Sequence, residues 1–279
     1  MKYYSFTFPL EKSWQQEILI AKLDAIGFEG FEEKQGELIA FISAVTFNEK
    51  EFLMLLESMQ PLFSIAYVKT EIAEQNWNLV WESNFQPIII SNDLAVRASF
   101  HSPFPLVKHE IIIDPKMSFG TGHHATTSMM LELMLLENLE NKKVLDFGSG
   151  TGILSILAAK LGASSVVAID NEEWACRNSV ENFHLNNVSS ATSELGDAST
   201  FKGKKYDVIL ANINRMVIIN TMVQFSESLQ YHGLLVISGF LQEDEEMVVV
   251  AARSSGFKIS KKMEQDGWMA MRLNHVNEE

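Results

Sequence analysis

Three glycines at alternate positions follow a short apolar run, and this arrangement can hold a ligand close to the backbone. Residues 144–147 have the composition of a buried strand, and Gly148, Gly150 and Gly152 come directly after them. Glycine lets the chain turn sharply and approach a ligand, and the start of a following helix offers unpaired N–H donors. The pattern therefore predicts a ligand-binding loop at the end of a strand.

A dinucleotide is one candidate ligand for this loop. The usual dinucleotide fingerprint is G-x-G-x-x-G, which requires a third glycine three positions after the second. Counted from Gly150 or Gly152, that position holds Ile153 or Ser155. An NAD-binding site is therefore disfavoured but stays an alternative, because the register of the glycines varies.

Two acidic residues follow at positions suited to a nucleoside. Asp170 ends the next apolar run, 22 positions after Gly148, where a carboxylate can accept hydrogen bonds from both hydroxyls of a ribose. Its alternative role is to cap the helix that begins near Glu172. Asp197 follows the third strand, where it can bind an adenine amino group or serve as a turn residue.

The elements that position these residues alternate between strand and helix from Lys142 onward. Aliphatic runs at 144–147, 166–170, 208–212 and 234–238 are typical of parallel strands that are covered on both faces. Helical spacing fills 152–161, 172–186, 215–229 and 242–254. We predict a doubly wound α/β sheet. Runs at 257–263 and 268–273, separated by the turn pair Asp266-Gly267, predict an antiparallel pair at its end.

The first 68 residues predict a small α+β domain of the ferredoxin-like kind, in the order β-α-β-β-α-β. The predicted strands are 3–8, 27–32, 37–43 and 62–68. The first helix is predicted to begin at Ser13 with Gln16 as its capping partner, and the second at Asn48 with Glu51. No catalytic cluster is recognisable there.

Residues 69–87 lose strong periodicity and are predicted to link this domain to a second one, 88–279. Trp77 and Trp81 lie in the linker. Tryptophans seldom stay free in a linker, so we expect them to pack on a neighbouring domain rather than to contact a substrate.

Bulk properties limit the class of partner. The formal net charge is −14, which disfavours direct binding of nucleic acid and favours basic partners. Apolar runs such as 248–252 are too short to span a bilayer, and the first residues do not resemble a signal peptide. A single cysteine, Cys176, suits a reducing compartment and is expected to be a packed thiol rather than a nucleophile. We therefore expect a cytoplasmic monomer without a membrane span.

The sequence resembles the class I S-adenosylmethionine-dependent methyltransferases, and more narrowly the PrmA family, which methylates ribosomal protein L11. The narrower resemblance rests on Asp114-Pro-Lys-Met-Ser-Phe-Gly-Thr-Gly-His-His-Ala-Thr-Thr127 before the glycine loop, and on Ala211-Asn-Ile-Asn214 after the fourth strand. It covers most of the chain, including a small N-terminal domain that recognises the substrate in that family.

The resemblance implies S-adenosylmethionine as cofactor, with lysine side chains and the N-terminal amine of ribosomal protein L11 as methyl acceptors. It assigns cofactor binding to Thr127, Gly148, Asp170 and Asn212, and the surrounding motifs add Phe119, Gly120, Thr121, Gly150 and Asp197. Thr126 and Thr127 are expected to cap a helix that runs to about Leu139, whose start suits the methionine carboxylate.

Asn212 is the candidate catalytic residue, because it leaves the fourth strand at the edge where open α/β sheets bind ligands. Its amide oxygen can accept a hydrogen bond from the substrate amine. Many amine and amide methyltransferases continue with Pro-Pro and an aromatic residue, whereas Ile213, Asn214 and Arg215 follow here. This difference weakens any prediction of an acceptor stacked on an aromatic ring.

Several alternatives remain at this point. His123 and His124 are adjacent but lack spaced carboxylate or cysteine partners, so we predict no metal site. A methyltransferase of the same fold acting on another protein or on a small molecule fits the same motifs. So does an adapter that keeps the fold without turning over a substrate.

Overall fold

The computed structural model describes residues 2–10, 12–72, 86–114, 116 and 118–276. The chain divides into two compact units, 1–85 and 86–279. Each unit is described by itself below. The predicted linker tryptophans, Trp77 and Trp81, lie outside the described residues.

The first unit has the predicted β-α-β-β-α-β order. Its elements are β1 (Tyr3–Pro9), α1 (Ser13–Asp24), β2 (Gly30–Lys34), β3 (Glu37–Ser43), α2 (Glu49–Met59) and β4 (Val68–Ile72). The strands form one antiparallel sheet in the order β2-β3-β1-β4. Alternate residues of β1 and β3, including Phe6, Phe8 and Leu38, are fully buried in the core of this unit. Because successive side chains of a strand point to opposite faces, this alternation means that one face of the sheet is buried.

Two local predictions in this unit are wrong. The last strand is β4, not 62–68, because Phe63 and Ile65 pack against the core without pairing with β1. Helix α1 is capped at Lys12, whose N–H donates to Gln15 Oε1 at 3.4 Å. Gln16 is instead buried, and its Nε2 donates to the carbonyl of Leu10 at 3.1 Å.

The prediction for the second helix of this unit is confirmed at its first residue. Asn48 Oδ1 accepts a hydrogen bond from the backbone N–H of Glu51 at 3.3 Å, ahead of α2. Such a side-chain cap satisfies one of the free donors in the first turn of a helix.

The linker predicted at 69–87 begins too early. β4 (Val68–Ile72) pairs with β1, so these residues belong to the first sheet.

The second unit is built on a seven-stranded sheet in the order β10-β9-β8-β11-β12-β14-β13. Its strands are β8 (Lys143–Phe147), β9 (Ser165–Asp170), β10 (Ala191–Leu195), β11 (Tyr206–Asn212), β12 (Leu229–Leu241), β13 (Phe257–Gln265) and β14 (Trp268–His275). The first five pair in parallel, while β14 pairs antiparallel with both β12 and β13. The predicted α/β sheet with an antiparallel end is confirmed.

Helices cover both faces of this sheet. They are α3 (Ala125–Leu135), α4 (Ile153–Lys160), α5 (Glu173–Leu185), α6 (Arg215–Ser228) and α7 (Glu245–Ser254). An apolar core lies between the sheet and the helices on each face. Consecutive strand residues belong to different cores, as Val144 and Leu145 show. This double burial explains why the strands read as continuous aliphatic runs.

The turn between β13 and β14 also confirms its prediction. Asp266 and Gly267 have φ values of 54° and 79°. Two successive left-handed residues are the geometry that a two-residue hairpin needs, because their twist matches that of the strands.

A further small sheet precedes the glycine loop and is not predicted by the sequence patterns. It consists of β5 (Ile88–Ser91), β6 (Leu94–Arg97) and β7 (His109–Ile112), in that order. The buried guanidinium of Arg97 contacts the carboxylate of Glu110 at 2.9 Å across the paired strands β6 and β7. Among the residues that the structure describes, no helix is long and apolar enough to cross a membrane.

Candidate active site

A cavity of about 770 Å³ opens at the carboxyl ends of the parallel strands. The chain order of the sheet reverses between β8 and β11, since β9 and β10 extend the sheet on one side of β8 before β11 joins the other. Open α/β sheets bind their ligands at such a switch point. The volume lies within the range of about 300–1,000 Å³ that is usual for small-molecule sites.

Two glycines of the loop, Gly148 and Gly150, line the cavity, and neither position has room for a side chain. A Cβ atom on Gly148 would lie 2.2 Å from Cγ2 of Ile213, and one on Gly150 would lie 2.3 Å from the carbonyl oxygen of Phe119. Both glycines have positive φ values, 76° and 53°. The backbone therefore lies directly against the neighbouring chain and stays open to a ligand on the cavity side.

Asp170 ties this loop to the next helix. Its Oδ2 accepts a hydrogen bond from the backbone N–H of Gly150 at 2.8 Å, and its Oδ1 accepts from that of Glu172 at 3.0 Å. Asp170 is not the N-cap residue of α5, which is Glu172; its bond to the Glu172 N–H forms a turn just before the helix. An ionised carboxylate has about four lone-pair sites, so acceptor sites remain for a ribose.

Asp146 supports the helix that follows the loop. Gly152, the N-cap residue of α4, has no side chain, and Asp146 Oδ2 instead accepts from the backbone N–H of Ser155 at 3.0 Å and from its hydroxyl at 2.6 Å. Asp146 is fully buried, and its Oδ1 has no hydrogen-bond partner in the described structure. Burial raises the pKa of Asp146 to about 6, although the bonds from Ser155 oppose the shift.

Asn182 of α5 and Asn186, the C-cap residue of the same helix, bind the segment that precedes the glycine loop. Asn186 Oδ1 accepts from the backbone N–H of Ile112 at 2.9 Å, and its Nδ2 donates to the carbonyl of the same residue at 2.6 Å. Asn182 Oδ1 accepts from the N–H of Asp114 at 3.2 Å, while its Nδ2 donates to the carbonyl of Thr151 at 2.9 Å. Asn182 thus joins the two chain segments that border the cavity.

The predicted cap of α3 is wrong. The N-cap residue is His124, whose Nδ1 accepts from the backbone N–H of Thr126 at 3.3 Å and contacts its hydroxyl at 2.8 Å. Thr126 and Thr127 lie in the first turn. The helix ends at Leu135 rather than near Leu139, which is buried beyond the helix end.

His124 also forms part of an aromatic wall that the sequence patterns do not predict. Its ring makes edge contacts with Phe119 at 5.3 Å and with Trp268 at 4.9 Å between centroids, and all three side chains line the cavity. Trp268 comes from the far end of the chain, so no local signal marks it. Among the described residues, no group of three or more potential ligands is placed to hold a metal ion.

Asn212 lies on the cavity wall at the end of β11. Its Nδ2 donates to Thr127 Oγ1 at 3.3 Å, whereas its Oδ1 is buried without a hydrogen-bond partner in the described structure. Burying an unpaired acceptor is unfavourable by about 1–3 kcal/mol. A ligand that donates a hydrogen bond to Oδ1 would remove this penalty.

The residues predicted to bind the cofactor fall into two groups, those that line the cavity and those that do not. The cavity is lined by six of them: Phe119, Gly148, Gly150, Asp170, Asp197 and Asn212. Gly120 lies behind the glycine loop, where its carbonyl accepts from Thr151 Oγ1. Thr121 contacts Nδ1 of His123 at 3.2 Å, and Thr127 is fully buried. Direct cofactor contacts of individual residues stay predictions.

Asp197 has the turn role that the sequence left open. Its Oδ1 accepts from the backbone N–H of Ser199 at 2.8 Å and from the hydroxyl at 2.6 Å, which lowers the pKa of the carboxyl. Asp197 is among the residues that line the cavity, so the predicted contact with an adenine amino group remains compatible with this turn. Cys176, by contrast, is a buried thiol whose Sγ lies 3.6 Å from the carbonyl oxygen of Asp170.

We predict that Asn182→Ala weakens binding of the cofactor about tenfold. The substitution removes the amide that joins Asp114 to Thr151, so both segments beside the cavity lose an anchor. Isothermal titration calorimetry with S-adenosylmethionine measures the effect. His184→Ala, an exposed substitution on the same helix, is the matched control. Equal affinity of the two variants would contradict the prediction.

We predict that Asp146→Asn flattens the pH dependence of the free energy of unfolding between pH 4 and 6. In the folded protein the pKa of this buried carboxyl is about 6, above its ordinary value of 3.8. Its contribution to stability is therefore complete below about pH 4 and is lost as the pH rises through about 6, a change of up to about 3 kcal/mol.

Urea unfolding at several pH values measures this dependence. The exposed substitution Glu227→Gln serves as control and should keep the wild-type slope. Parallel curves for wild type and Asp146→Asn would show that Asp146 does not titrate in this range.

Comparison with known proteins agrees with this geometry. The family model described as Ribosomal protein L11 methyltransferase (PrmA) matches residues 11–275. A protein named Ribosomal protein L11 methyltransferase from Bacteroides fragilis is 38% identical over 278 residues, 98% of this chain and 99% of that protein. The protein of the same name from Porphyromonas gingivalis is 40% identical over 284 residues, 98% of each chain.

A solved structure is similar as well. The crystal structure of the ribosomal protein L11 methylase from Lactobacillus delbrueckii subsp. bulgaricus matches with a TM-score of 0.62 and 26% sequence identity, covering 69% of this chain and 99% of that chain. The NAD alternative therefore has no support.

The site fits the family's cofactor, S-adenosylmethionine. Gly148 and Gly150 place bare backbone at the cavity, the Asp170 carboxylate lies at the end of β9, and Oδ1 of Asn212 has no hydrogen-bond donor among the described residues. These three features suit a nucleoside with an amino-acid tail. The sequence match and the site together establish that the chain belongs to the ribosomal protein L11 methyltransferase (PrmA) family.

Proposed function

We propose that this protein transfers methyl groups from S-adenosylmethionine to amine nitrogens of ribosomal protein L11, namely lysine side chains and the N-terminal amine. The observation that carries the proposal is the unpaired, buried Oδ1 of Asn212 on the wall of the cavity. It is an acceptor that suits the N–H of an amine. The family relationship supports ribosomal protein L11 as the protein that bears the amine.

When bound, the cofactor would supply the methyl group from its sulfonium and leave as the thioether S-adenosylhomocysteine. The acceptor nitrogen must be uncharged to attack the methyl carbon. A free lysine has a pKa of about 10.4, so it must first lose a proton to water or to a group of the substrate. Asn212 does not titrate at neutral pH, and we assign it the orientation of the amine. Catalysis then rests mainly on positioning and on exclusion of water.

We assign the cofactor contacts as follows. The backbone at Gly148 and Gly150 lies against the cofactor, Asp170 accepts from its ribose, and Asp197 accepts from its adenine amino group. The first turn of α3, with Thr126 at the cavity, faces the amino-acid part. Helix N-termini favour a carboxylate at that position.

His124 contributes a hydrogen-bond donor to the cavity. Because its Nδ1 accepts from the backbone N–H of Thr126, the proton of the neutral ring lies on Nε2. Because Nδ1 is engaged in capping α3, we do not assign His124 the removal of the lysine proton. We propose that it closes the apolar wall with Phe119 and Trp268.

We propose that the first unit recognises the protein substrate. Positions 1–68 contain ten acidic and five basic residues, a balance of −5. Such a surface attracts a basic ribosomal protein and speeds its association. With a net charge of −14 and one cysteine, we also propose a cytoplasmic, monomeric enzyme that binds no nucleic acid directly.

We predict that Asp170→Ala raises the dissociation constant of S-adenosylmethionine at least tenfold. The substitution removes the proposed ribose acceptor and also the partner of the Gly150 N–H. Calorimetry on the folded variant measures the change. Glu173→Ala, an exposed substitution in the first turn of α5, should leave the constant unchanged. An unchanged value for Asp170→Ala would refute the ribose role.

The substrate is tested by incubating the enzyme with radiolabelled S-adenosylmethionine and purified ribosomal proteins. We expect label on lysine and N-terminal amines of ribosomal protein L11, located by mass spectrometry of its peptides. Label on another protein, or only on a small molecule, would favour the alternative methyltransferase. Cofactor binding without any transfer would favour the adapter.

The same assay tests the first unit. A chain that begins after β4, at residue 73, should lose methylation of ribosomal protein L11 while its cofactor dissociation constant changes less than about threefold. Retained methylation would show that substrate recognition lies in the second unit.

A further inference from the structure

The turn that follows Asn212 leads directly into α6 and contains no proline. Asn212 ends β11, Ile213 and Asn214 form the turn, and Arg215 is the first residue of α6. The three residues before Arg215 line the cavity, whereas Arg215 does not. A proline would fix one backbone dihedral of such a turn. Contacts with neighbouring segments must hold it here instead.

Backbone contacts and a helix cap hold the first two residues of the turn. The N–H of Ile213 donates to the carbonyl of Ser238 at 3.1 Å, and a Cβ on Gly239 would lie 2.1 Å from the carbonyl oxygen of Ile213. The Oδ1 of Asn214 accepts a backbone N–H in the first turn of α6 at 3.0 Å. The turn is therefore held against β12 on one side and against its own helix on the other.

Arg215 adds an ion pair with Asp244, which lies 29 positions further along the chain. The contact joins one terminal nitrogen of the guanidinium, Nη1, to the carboxylate oxygen Oδ1. The side chain of Arg215 is 36% exposed and that of Asp244 is 13% exposed, so solvent screens this pair less than a fully exposed one. A cation in the first turn of a helix is unfavourable, and the carboxylate of Asp244 offsets this effect.

Asp244 connects the pair to another part of the cavity wall. It is the N-cap residue of α7 and lies three positions after Leu241, the last residue of β12. Leu241 pairs with Trp268 of β14, and the Trp268 side chain lines the cavity. The ion pair of Arg215 therefore joins the turn after Asn212 to the strand ends at Trp268.

We propose that the Arg215–Asp244 ion pair is a positioning device that keeps Asn212 and Trp268 in a fixed arrangement around the acceptor amine. Neither member of the pair lines the cavity, so the pair acts on methyl transfer through those two side chains. The inference rests on the proposed function for the identity of the acceptor. It does not rest on it for the link between the two segments, which is a contact within the chain.

The pair should affect methyl transfer more than cofactor affinity. The cofactor contacts that we assign to the glycine loop, to Asp170 and to Asp197 lie on segments that neither Arg215 nor Asp244 contacts through its side chain in the described structure. Loss of the pair therefore leaves those contacts in place and loosens the wall at Asn212.

The matched variants are Arg215→Met, which keeps an unbranched side chain without charge, and Arg215→Lys, which restores a cation. Lysine can replace arginine because the contact uses one terminal nitrogen. With ribosomal protein L11 as acceptor, we expect Arg215→Met to lower kcat about fivefold, with KM and the cofactor dissociation constant within twofold of wild type. Arg215→Lys should recover most of the kcat. Arg253→Met, an exposed substitution in the last turn of α7, is the control and should keep the wild-type kcat.

A double-mutant cycle tests whether the two side chains act together. We expect the double variant Arg215→Met with Asp244→Asn to lose no more kcat than Arg215→Met alone, because the second substitution removes an interaction that is already absent. Additive losses would overturn the proposed pairing.

A second readout does not depend on activity. Hydrogen–deuterium exchange of the enzyme without substrate, followed by mass spectrometry, reports the opening of local backbone hydrogen bonds. We expect peptides that cover residues 213–219 and 241–246 to exchange faster in Arg215→Met than in wild type or Arg215→Lys. Peptides that cover residues 166–172 should exchange alike in all three proteins.

The outcomes separate the inference from the proposed function. A wild-type enzyme that does not methylate ribosomal protein L11 overturns the substrate, while the exchange comparison still decides the role of the ion pair. Equal exchange in Arg215→Met and wild type overturns the positioning role. So does an Arg215→Lys enzyme as slow as Arg215→Met, or a cofactor dissociation constant raised as much as kcat is lowered, since the latter marks a contribution to cofactor binding.

Discussion

The carboxylate of Asp170 is the link on which the site depends. One oxygen holds the backbone of the glycine loop at Gly150 and the other holds the start of α5 at Glu172. A carboxylate that receives backbone N–H bonds on both oxygens has little freedom to rotate, and charge-assisted bonds of this kind are stronger than neutral ones. A single side chain at the tip of β9 thus aligns loop, strand and helix while keeping lone pairs for a ligand.

The strand order explains why these groups converge. β8 and β11 are neighbours although their first paired residues, Val144 and Val208, are 64 positions apart in the sequence. The loops after the two strands therefore meet. Gly148 and Ile213 lie so close that only glycine fits, which brings Asn212 to the same edge as the loop. Helix α3 then reaches Asn212 from the side through Thr127.

Local patterns predicted the parts that local forces determine. The glycine loop, the aliphatic strands and the Asp266-Gly267 turn follow from backbone conformation and burial along a short segment. The last strand of the first unit was misplaced because Phe63 and Ile65 are apolar for packing rather than for pairing. The partnership of Thr127 with Asn212, and the position of Trp268 in the wall, join residues far apart in the chain. Patterns of residue spacing describe short segments and cannot predict contacts between residues so far apart in the chain.

The grip of α5 on the segment before the glycine loop has a consequence for how the site tolerates change. Asn182 and Asn186 bind backbone groups of Ile112, Asp114 and Thr151, and no side chain of that segment takes part in these bonds. The backbone of the segment is thus held from the side of α5 as well as by pairing with β6. A change at either asparagine would reach the cavity through this backbone, although neither side chain lines the cavity.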